Sequence, residues 1–202
     1  MIVKSYVNDI CDRVKGKRVL DVGCCATTAQ NLLKRHNVFK EAATQIIGVD
    51  INRKLLALAQ QRGAKNLYHY DMTMPSSGVD IVNKFGKFEK IICTDVVEHV
   101  GNITSFLNNL YFILADGGQL LITTPNMRSS RWYAMFVRNK VKINPDHVCW
   151  YDIFTLENIL KRSKLKVVET LYHSPENHDA GFLKLVPQEW MARRLYVIVE
   201  KE

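Results

Sequence analysis

The stretch KRVLDVGC, from Lys17 to Cys24, followed by QIIGVD ending at Asp50, constrains this chain more than any other feature. Val19, Leu20 and Val22 form a short apolar β-run, and Gly23 lets the backbone turn tightly beside a ligand. The second run, Ile46 to Val49, ends on an acidic residue. In a parallel α/β sheet this order puts a carboxylate at the tip of strand two, beside the glycine turn that leaves strand one. A carboxylate there accepts two hydroxyl protons at once, as a ribose diol requires. The two runs therefore predict a sheet that carries a nucleoside-containing cofactor.

The loop after strand one separates the candidate cofactors. A dinucleotide needs G-x-G-x-x-G, so that its pyrophosphate lies on bare backbone at a helix N-terminus. Here Gly23-Cys24-Cys25-Ala26-Thr27-Thr28 offers a single glycine. The ordered set VLDVGC, IIGVD, YHYD, FEKIICTDVVEHV and LADGGQLLITTPN, within residues 17–170, resembles the class I S-adenosylmethionine-dependent methyltransferases. The resemblance implies a Rossmann-like, doubly wound α/β fold: a mainly parallel seven-stranded sheet with an antiparallel C-terminal strand and helices on both faces. It implies S-adenosyl-L-methionine as cofactor and S-adenosyl-L-homocysteine as product. The chain departs from the family's G-x-G at Cys25 and Thr27, which occupy the later glycine positions.

At 202 residues the chain suits one domain, residues 1–202, with a core of ordinary size. No apolar run approaches the ~20 residues of a membrane span, and no secretory h-region opens the sequence. Five cysteines in odd number, without a CxxC, fit a reducing cytoplasm rather than a disulfide scaffold or zinc knuckle. A net charge of +8 favours an anionic partner.

Apolar residues from Ile2 to Val14 recur at helical spacing and predict an N-terminal helix over about 2–15. Strands are expected at Arg18–Val22, Ile46–Val49, Asn66–Tyr70, Phe88–Cys93 and Gln119–Thr123, and the resemblance adds an antiparallel pair, Lys166–Tyr172 with Arg194–Val199. Helices are expected from Thr27 to His36, after an Asn52 cap, from Thr104 to Leu114, and from near Thr155. Pro75-Ser76-Ser77-Gly78 reads as a polar loop. Between strand five and the Thr155 helix lies an insertion, about 127–150, where strand ends shape acceptor sites.

For the cofactor, Asp50 is the expected ribose ligand, with Ile51 beside it, and Asp71, followed by Met72, matches the family position for the adenine amine. Asp71 also reads as a turn-forming Asp before Thr73. Asp21 and Gly23 are expected at the methionine end, and Cys24, Thr94 and Asp95 are further expected cofactor-binding residues; Asp21 equally reads as a structural acid.

Asp95-Val96-Val97-Glu98-His99 leaves strand four where an acceptor must enter. Two carboxylates and an imidazole there can supply a general base or ligate a divalent metal. The pattern resembles the E-x-x-E-H of ubiquinone-biosynthesis O-methyltransferases and small-RNA 2′-O-methyltransferases, with Asp95 one methylene shorter than their first Glu. The RNA enzymes bring a further histidine from a D-H-x-x-x-W setting, and Asp146-His147-Val148-Cys149-Trp150 has a similar layout. His99, Glu98 and His147 are thus the expected catalytic residues, and a metal on those three is the disfavoured alternative. His36, His69, His173 and His178 read as structural or surface residues.

The insertion interleaves Arg128, Arg131, Arg138, Lys140 and Lys142 with Trp132, Tyr133 and Phe136. Cations pair with phosphates and aromatics stack on bases, yet Trp132, Met135 and Phe136 also fall at helical spacing, as a core-facing stripe would. The expected reaction is O-methylation of a small hydroxylated acceptor or glycan. An RNA ribose is the second expectation, and a fold retained for binding without activity, suggested by the lost glycines, is the third.

Overall fold

In a computed structural model of the chain, residues 2–3, 5–26, 30–140, 143–174 and 187–202 are described. Thr27, Thr28, Lys142 and His178, and the expected start of a helix at Thr27, lie outside them. The strands are β1 (Ile2–Val3), β2 (Arg18–Val22), β3 (Gln45–Asp50), β4 (Leu67–His69), β5 (Phe88–Thr94), β6 (Leu114–Pro125), β7 (Leu165–His173) and β8 (Arg194–Lys201). The helices are α1 (Tyr6–Val14), α2 (Lys34–Ala42), α3 (Arg53–Gln61), α4 (Ser77–Phe85), α5 (Ile103–Ile113), α6 (Ser130–Val137), α7 (Ile153–Arg162) and α8 (Gln188–Met191). A short 3-10 helix, Val97–His99, follows β5. None of the described helices is long and apolar enough to cross a membrane.

The sheet runs β1-β7-β8-β6-β5-β2-β3-β4. It is parallel except where β8 pairs antiparallel with β6 and with β7. The expected seven strands are thus present with the antiparallel pair, and Ile2–Val3 adds an eighth at the β7 edge. That edge strand corrects the expected N-terminal helix, which begins only at Tyr6, where the Ser5 hydroxyl accepts from the Asn8 amide. The helix expected over Thr27–His36 also lies later, at Lys34–Ala42.

Strand alternation sorts the core into two faces. Val19, Ile46, Ile92, Leu121 and Ile198 meet Ile10 and Val14 of α1 and Phe39 of α2. Leu20, Val22, Ile47, Ile91, Leu120 and Val197 meet α4, α5 and α7 on the other side, through Ile81, Phe106, Leu110 and Leu156. Sheet order reverses beside β2, since the chain steps outward through β3 and β4 and then returns to β5 on the opposite side. In doubly wound sheets the crevice opens at that point, at the strand C-termini. Here these ends carry Gly23, Asp50 and Asp95.

Candidate active site

Two adjoining cavities occupy the crevice. One, of about 420 Å³, is lined by Gly23, Asp50, Ile51, Asp71, Met72 and Phe106, among others. The other, about 520 Å³, shares Gly23, Asp50, Ile51, Val96 and His99 with it and extends to Thr94, Asp95, Glu98, His147 and Arg194.

The first cavity is built around the Gly23 turn and the Asp50 carboxylate. Gly23 leaves β2 with φ +72°, and a Cβ on it would stand 2.5 Å from the Val96 Cγ2, so the turn needs glycine for both backbone and space. The Cys25 amide donates to Asp50 Oδ2 at 3.0 Å, and the Asn52 amide to Asp50 Oδ1 at 2.8 Å. Each oxygen keeps a lone pair for a further donor. Burial raises the Asp50 pKa in spite of those two amides, so added donors from a diol would favour its charged form. Cys25 stands outside the left-handed region, so the backbone there does not call for the family's glycine. Asn52, not Asp50, caps α3, its Oδ1 accepting from the Lys54 and Leu55 amides. Asp71 lines the cavity while its Oδ1 closes an Asx turn, accepting from the Thr73 amide at 2.9 Å and hydroxyl at 2.7 Å. The turn-forming role is thus seen directly, and the same residue borders the cavity.

Asp21 is elsewhere. It lies on the β2 face that α2 covers, and its Oδ2 sits 2.8 Å from His36 Nδ1, both side chains buried. Its place at the methionine end is corrected to a buried pair with a histidine that the sequence marks only as structural or surface. Cys24 is also off the main cleft: it packs beside Leu32, Leu56 and Leu67 and borders a smaller recess.

The second cavity gathers the acid and imidazole groups. Asp95 has φ +54°, a conformation non-glycine residues adopt sparingly. Arg194 grips it with Nε on Oδ1 at 3.0 Å and Nη2 on Oδ2 at 2.8 Å, and Arg35 adds Nη1 on Oδ2 at 2.9 Å. Burial alone would raise its pKa, but the two guanidiniums outweigh it and hold the carboxyl below its ordinary value. With both oxygens held by guanidiniums, Asp95 is a poor candidate for a metal ligand or base.

Glu98 is different. Its carboxyl is almost wholly buried; the Thr124 hydroxyl donates to Oε2 at 3.0 Å, while Oε1 is buried with no partner. Burial, and then the Asp95 charge, push it up to about 7. The Glu98 carbonyl accepts from the Val148 and Cys149 amides at 2.9 and 3.2 Å, which draws the returning insertion over the 3-10 turn. His147 is thereby set against His99, ring centroids 4.7 Å apart and nearly perpendicular. Partial burial, then His99, lower the His147 pKa. His99 Nδ1 lies 3.0 Å from the Asp146 carbonyl oxygen. A carbonyl can only accept, so Nδ1 carries the proton and the neutral ring's lone pair sits on Nε2. One ligand atom from each of Glu98, His99 and His147 lies within 4.8 Å of the others.

Glu98 makes a prediction about stability. Its folded pKa is raised from 4.5 to about 7, so its stabilising contribution is complete below the unfolded value and lost as pH climbs through 7. In chelator, wild type should lose stability relative to Glu98→Gln between about pH 5 and 8, by at most about 3 kcal/mol. Urea melts across that range that keep the two proteins parallel would contradict the assignment.

The excursion 127–150 begins and ends side by side, with Asn126 bridged to Tyr151 and the Met127 amide on the Tyr151 carbonyl. Within it, Trp132 and Phe136 of α6 stack on Trp150 at 4.7 and 6.1 Å. Arg128 pairs with Glu189 and lies over Phe154. Sequence reasoning missed Arg35, Arg194, Cys25, Phe106 and Thr124 as cleft or support residues; the arginines carry no local motif, and only the fold brings them to Asp95.

Comparison with known proteins adds the following. The family described as "Methyltransferase domain" matches residues 4–170. The ubiquinone biosynthesis O-methyltransferase of Coxiella burnetii is 26% identical over 114 residues, 56% of this chain and 45% of that protein. That of Glaesserella parasuis is 26% identical over 139 residues, 66% of this chain and 55% of the relative. The chain thus spans about half the length of the curated relatives it matches. In fold it is similar to a SAM-dependent methyltransferase from Archaeoglobus fulgidus, with a TM-score of 0.69 at 18% identity, covering 98% of this chain and 92% of that one. It is likewise similar to magnesium protoporphyrin IX methyltransferase from Synechocystis, solved with bound SAH, with a TM-score of 0.65 at 14% identity, covering 98% and 83%.

Proposed function

The chain belongs to the S-adenosylmethionine-dependent methyltransferases of class I, and from that premise we propose that it methylates a hydroxyl oxygen of a small hydroxylated acceptor. When bound, the cofactor supplies an electrophilic methyl group on a sulfonium. The residues of the first cavity fit such a cofactor: the Gly23 turn has no room for a Cβ, and Asp50 has two oxygens with lone pairs to spare. Asp50 would hold the ribose, Asp71 the adenine amine, and Ile51, Met72 and Phe106 the apolar faces of the base. Gly23, Thr94 and Cys25 would border the methionine end.

The oxygen assignment rests above all on His99, whose tautomer leaves a bare Nε2 just beyond the end of β5. A hydroxyl is a poor nucleophile until its proton is withdrawn, and a neutral imidazole at hydrogen-bond reach does that. Glu98 behind it, buried and short of one partner, would stabilise the imidazolium or take the proton onward. The relatives named as O-methyltransferases support oxygen as the acceptor atom.

A second reading is favoured by a specific observation. A Glu98 carboxylate oxygen, His99 and His147 have ligand spacing, and the Nδ1 bond to the Asp146 carbonyl is the outer contact that orients a metal-ligating histidine. One carboxylate and two imidazoles suit Mn²⁺, Fe²⁺ or Zn²⁺, and a cation there would polarise the acceptor hydroxyl. Asp95, occupied by two arginines, would not take part.

The test is transfer of labelled methyl to pools of small phenols, glycans and RNA, with and without chelator. Label in the small-molecule pools that survives chelation supports the imidazole route. Loss on chelation with recovery on Mn²⁺ supports the cation, and label confined to RNA would sink the small-acceptor reading.

RNA fares worse than a small acceptor because Trp132 and Phe136 are engaged with Trp150, and Arg128 with Glu189. Among the remaining cations of the insertion, Arg131 and Arg138 would tune acceptor entry. The double variant Arg131→Gln/Arg138→Gln should raise the acceptor KM by about 3–30-fold, with cofactor Kd unchanged. A change in cofactor Kd instead would place the insertion on the wrong side of the site.

A further inference from the structure

The departure from the family's glycine loop creates a second donor cluster, built on two thiols beside the carboxylate proposed for the ribose. Cys24 and Cys25 follow the Gly23 turn, and their sulfurs lie 3.9 Å apart. Together with a carboxylate oxygen of Asp50 they form a group whose ligand atoms all lie within 4.8 Å of one another. Two sulfurs held at about 2.3 Å from a tetrahedral ion stand about 3.8 Å apart, so the thiol pair is already at that spacing. Cys24 is fixed there by packing: a Cβ on Gly48 would stand 2.9 Å from its sulfur, and Leu32, Leu56 and Leu67 surround it. Cys25 and Asp50 open onto the main cleft.

We propose that Cys24, Cys25 and Asp50 bind a thiophilic divalent cation such as Zn²⁺ or Cd²⁺, and that this cation excludes the methyl donor. Both thiols release their protons to solvent and each sulfur donates an electron pair to the cation; the carboxylate supplies a third ligand and no electrons change hands. Softness selects the ion, since two thiolates prefer Zn²⁺ or Cd²⁺ to Mg²⁺ or Mn²⁺. The Glu98, His99 and His147 group has no sulfur, so Zn²⁺ is open to both clusters while a thiolate-to-cadmium band can come only from the cysteines. Exclusion follows because the carboxylate that would grip the ribose is the one the cation uses. The exclusion, though not the cation binding, rests on the proposed role of Asp50.

Cd²⁺ is the probe, as its thiolate complexes absorb in the ultraviolet. Titrating the full chain should give a thiolate-to-cadmium band saturating at one equivalent, suppressed when S-adenosylhomocysteine is added first. Cys25→Ser should lose the band and Cys11→Ser should keep it. At free Cd²⁺ ten times its Kd, homocysteine-product affinity should fall about tenfold in the wild type and hardly at all in Cys25→Ser. A missing band, or one that persists in Cys25→Ser, overturns the site. A band indifferent to S-adenosylhomocysteine overturns the exclusion. In that case Asp50→Ala, assayed for cofactor binding without metal, shows separately whether the ribose assignment has failed.

Discussion

His99→Ala should lower kcat by about 10²–10⁴-fold while changing cofactor Kd by less than about twofold. The expected split follows from where the residue sits. His99 ends the 3-10 turn after β5, and its Nδ1 proton is committed to the Asp146 carbonyl. What remains is one lone pair, and a hydroxyl acceptor needs one proton removed as its oxygen attacks. Losing that acceptor of a proton costs the chemical step, whereas the ribose and adenine contacts are proposed for Asp50 and Asp71. Glu98→Ala should act in the same direction, and added imidazole should restore part of the rate to His99→Ala if the ring serves as base. A metal route gives a different pattern: imidazole fails to rescue, and Glu98→Ala and His147→Ala each lose bound ion. Full turnover by His99→Ala would defeat both routes.

How much of this was legible in the sequence depends on range. Strand tips were, because β2, β3, β5 and β6 are apolar runs that end in a glycine, an acid or a proline, and those ends carry the site. The Asn52 cap was legible for the same local reason. Asp21 was half legible: strict alternation along Val19-Leu20-Asp21-Val22 already assigns Asp21 to the face opposite Leu20 and Val22, where α2 and His36 lie. The polar loop expected around Pro75 to Gly78 holds for the turn at Pro75 and Ser76 and ends there, because Ser77–Phe85 is helical. Gly78 is needed there for packing rather than for a turn, since a Cβ on it would stand 2.8 Å from Asn109 Oδ1 of α5. The state of Asp95 was not legible at all. Its partners lie 60 and 99 residues away, and only the fold, which brings the starts of α2 and β8 to the turn after β5, converts an expected ligand of the cofactor into a paired acid. The grouping of Glu98, His99 and His147 was visible as a motif resemblance, but its closeness depends on two amides of the insertion reaching the Glu98 carbonyl.

Asp50→Ala should weaken S-adenosylmethionine and S-adenosylhomocysteine binding by about 10–150-fold, the equivalent of about 1.5–3 kcal/mol for a charged acceptor of hydrogen bonds. The variant loses two things at once. The carboxylate holds the Cys25 and Asn52 amides, so its removal frees the loop after β2 and the start of α3 as well as the ribose hydroxyls. Asp50→Asn separates these contributions. An asparagine has one acceptor oxygen and an amide that cannot accept from backbone N–H, so it retains part of the anchoring but only half of the diol recognition. The order of affinity should therefore be wild type, then Asn, then Ala, measured by calorimetry with S-adenosylhomocysteine. The raised Asp50 pKa adds a further sign. Because the hydroxyls donate to the charged carboxylate, cofactor binding lowers that pKa back toward the ordinary range and weakens as pH falls through it. The same weakening should be missing from Asp50→Asn, which has no proton to take up. Unchanged affinity in the alanine variant would remove the ribose from this carboxylate, and with it the placement of the methyl group before His99.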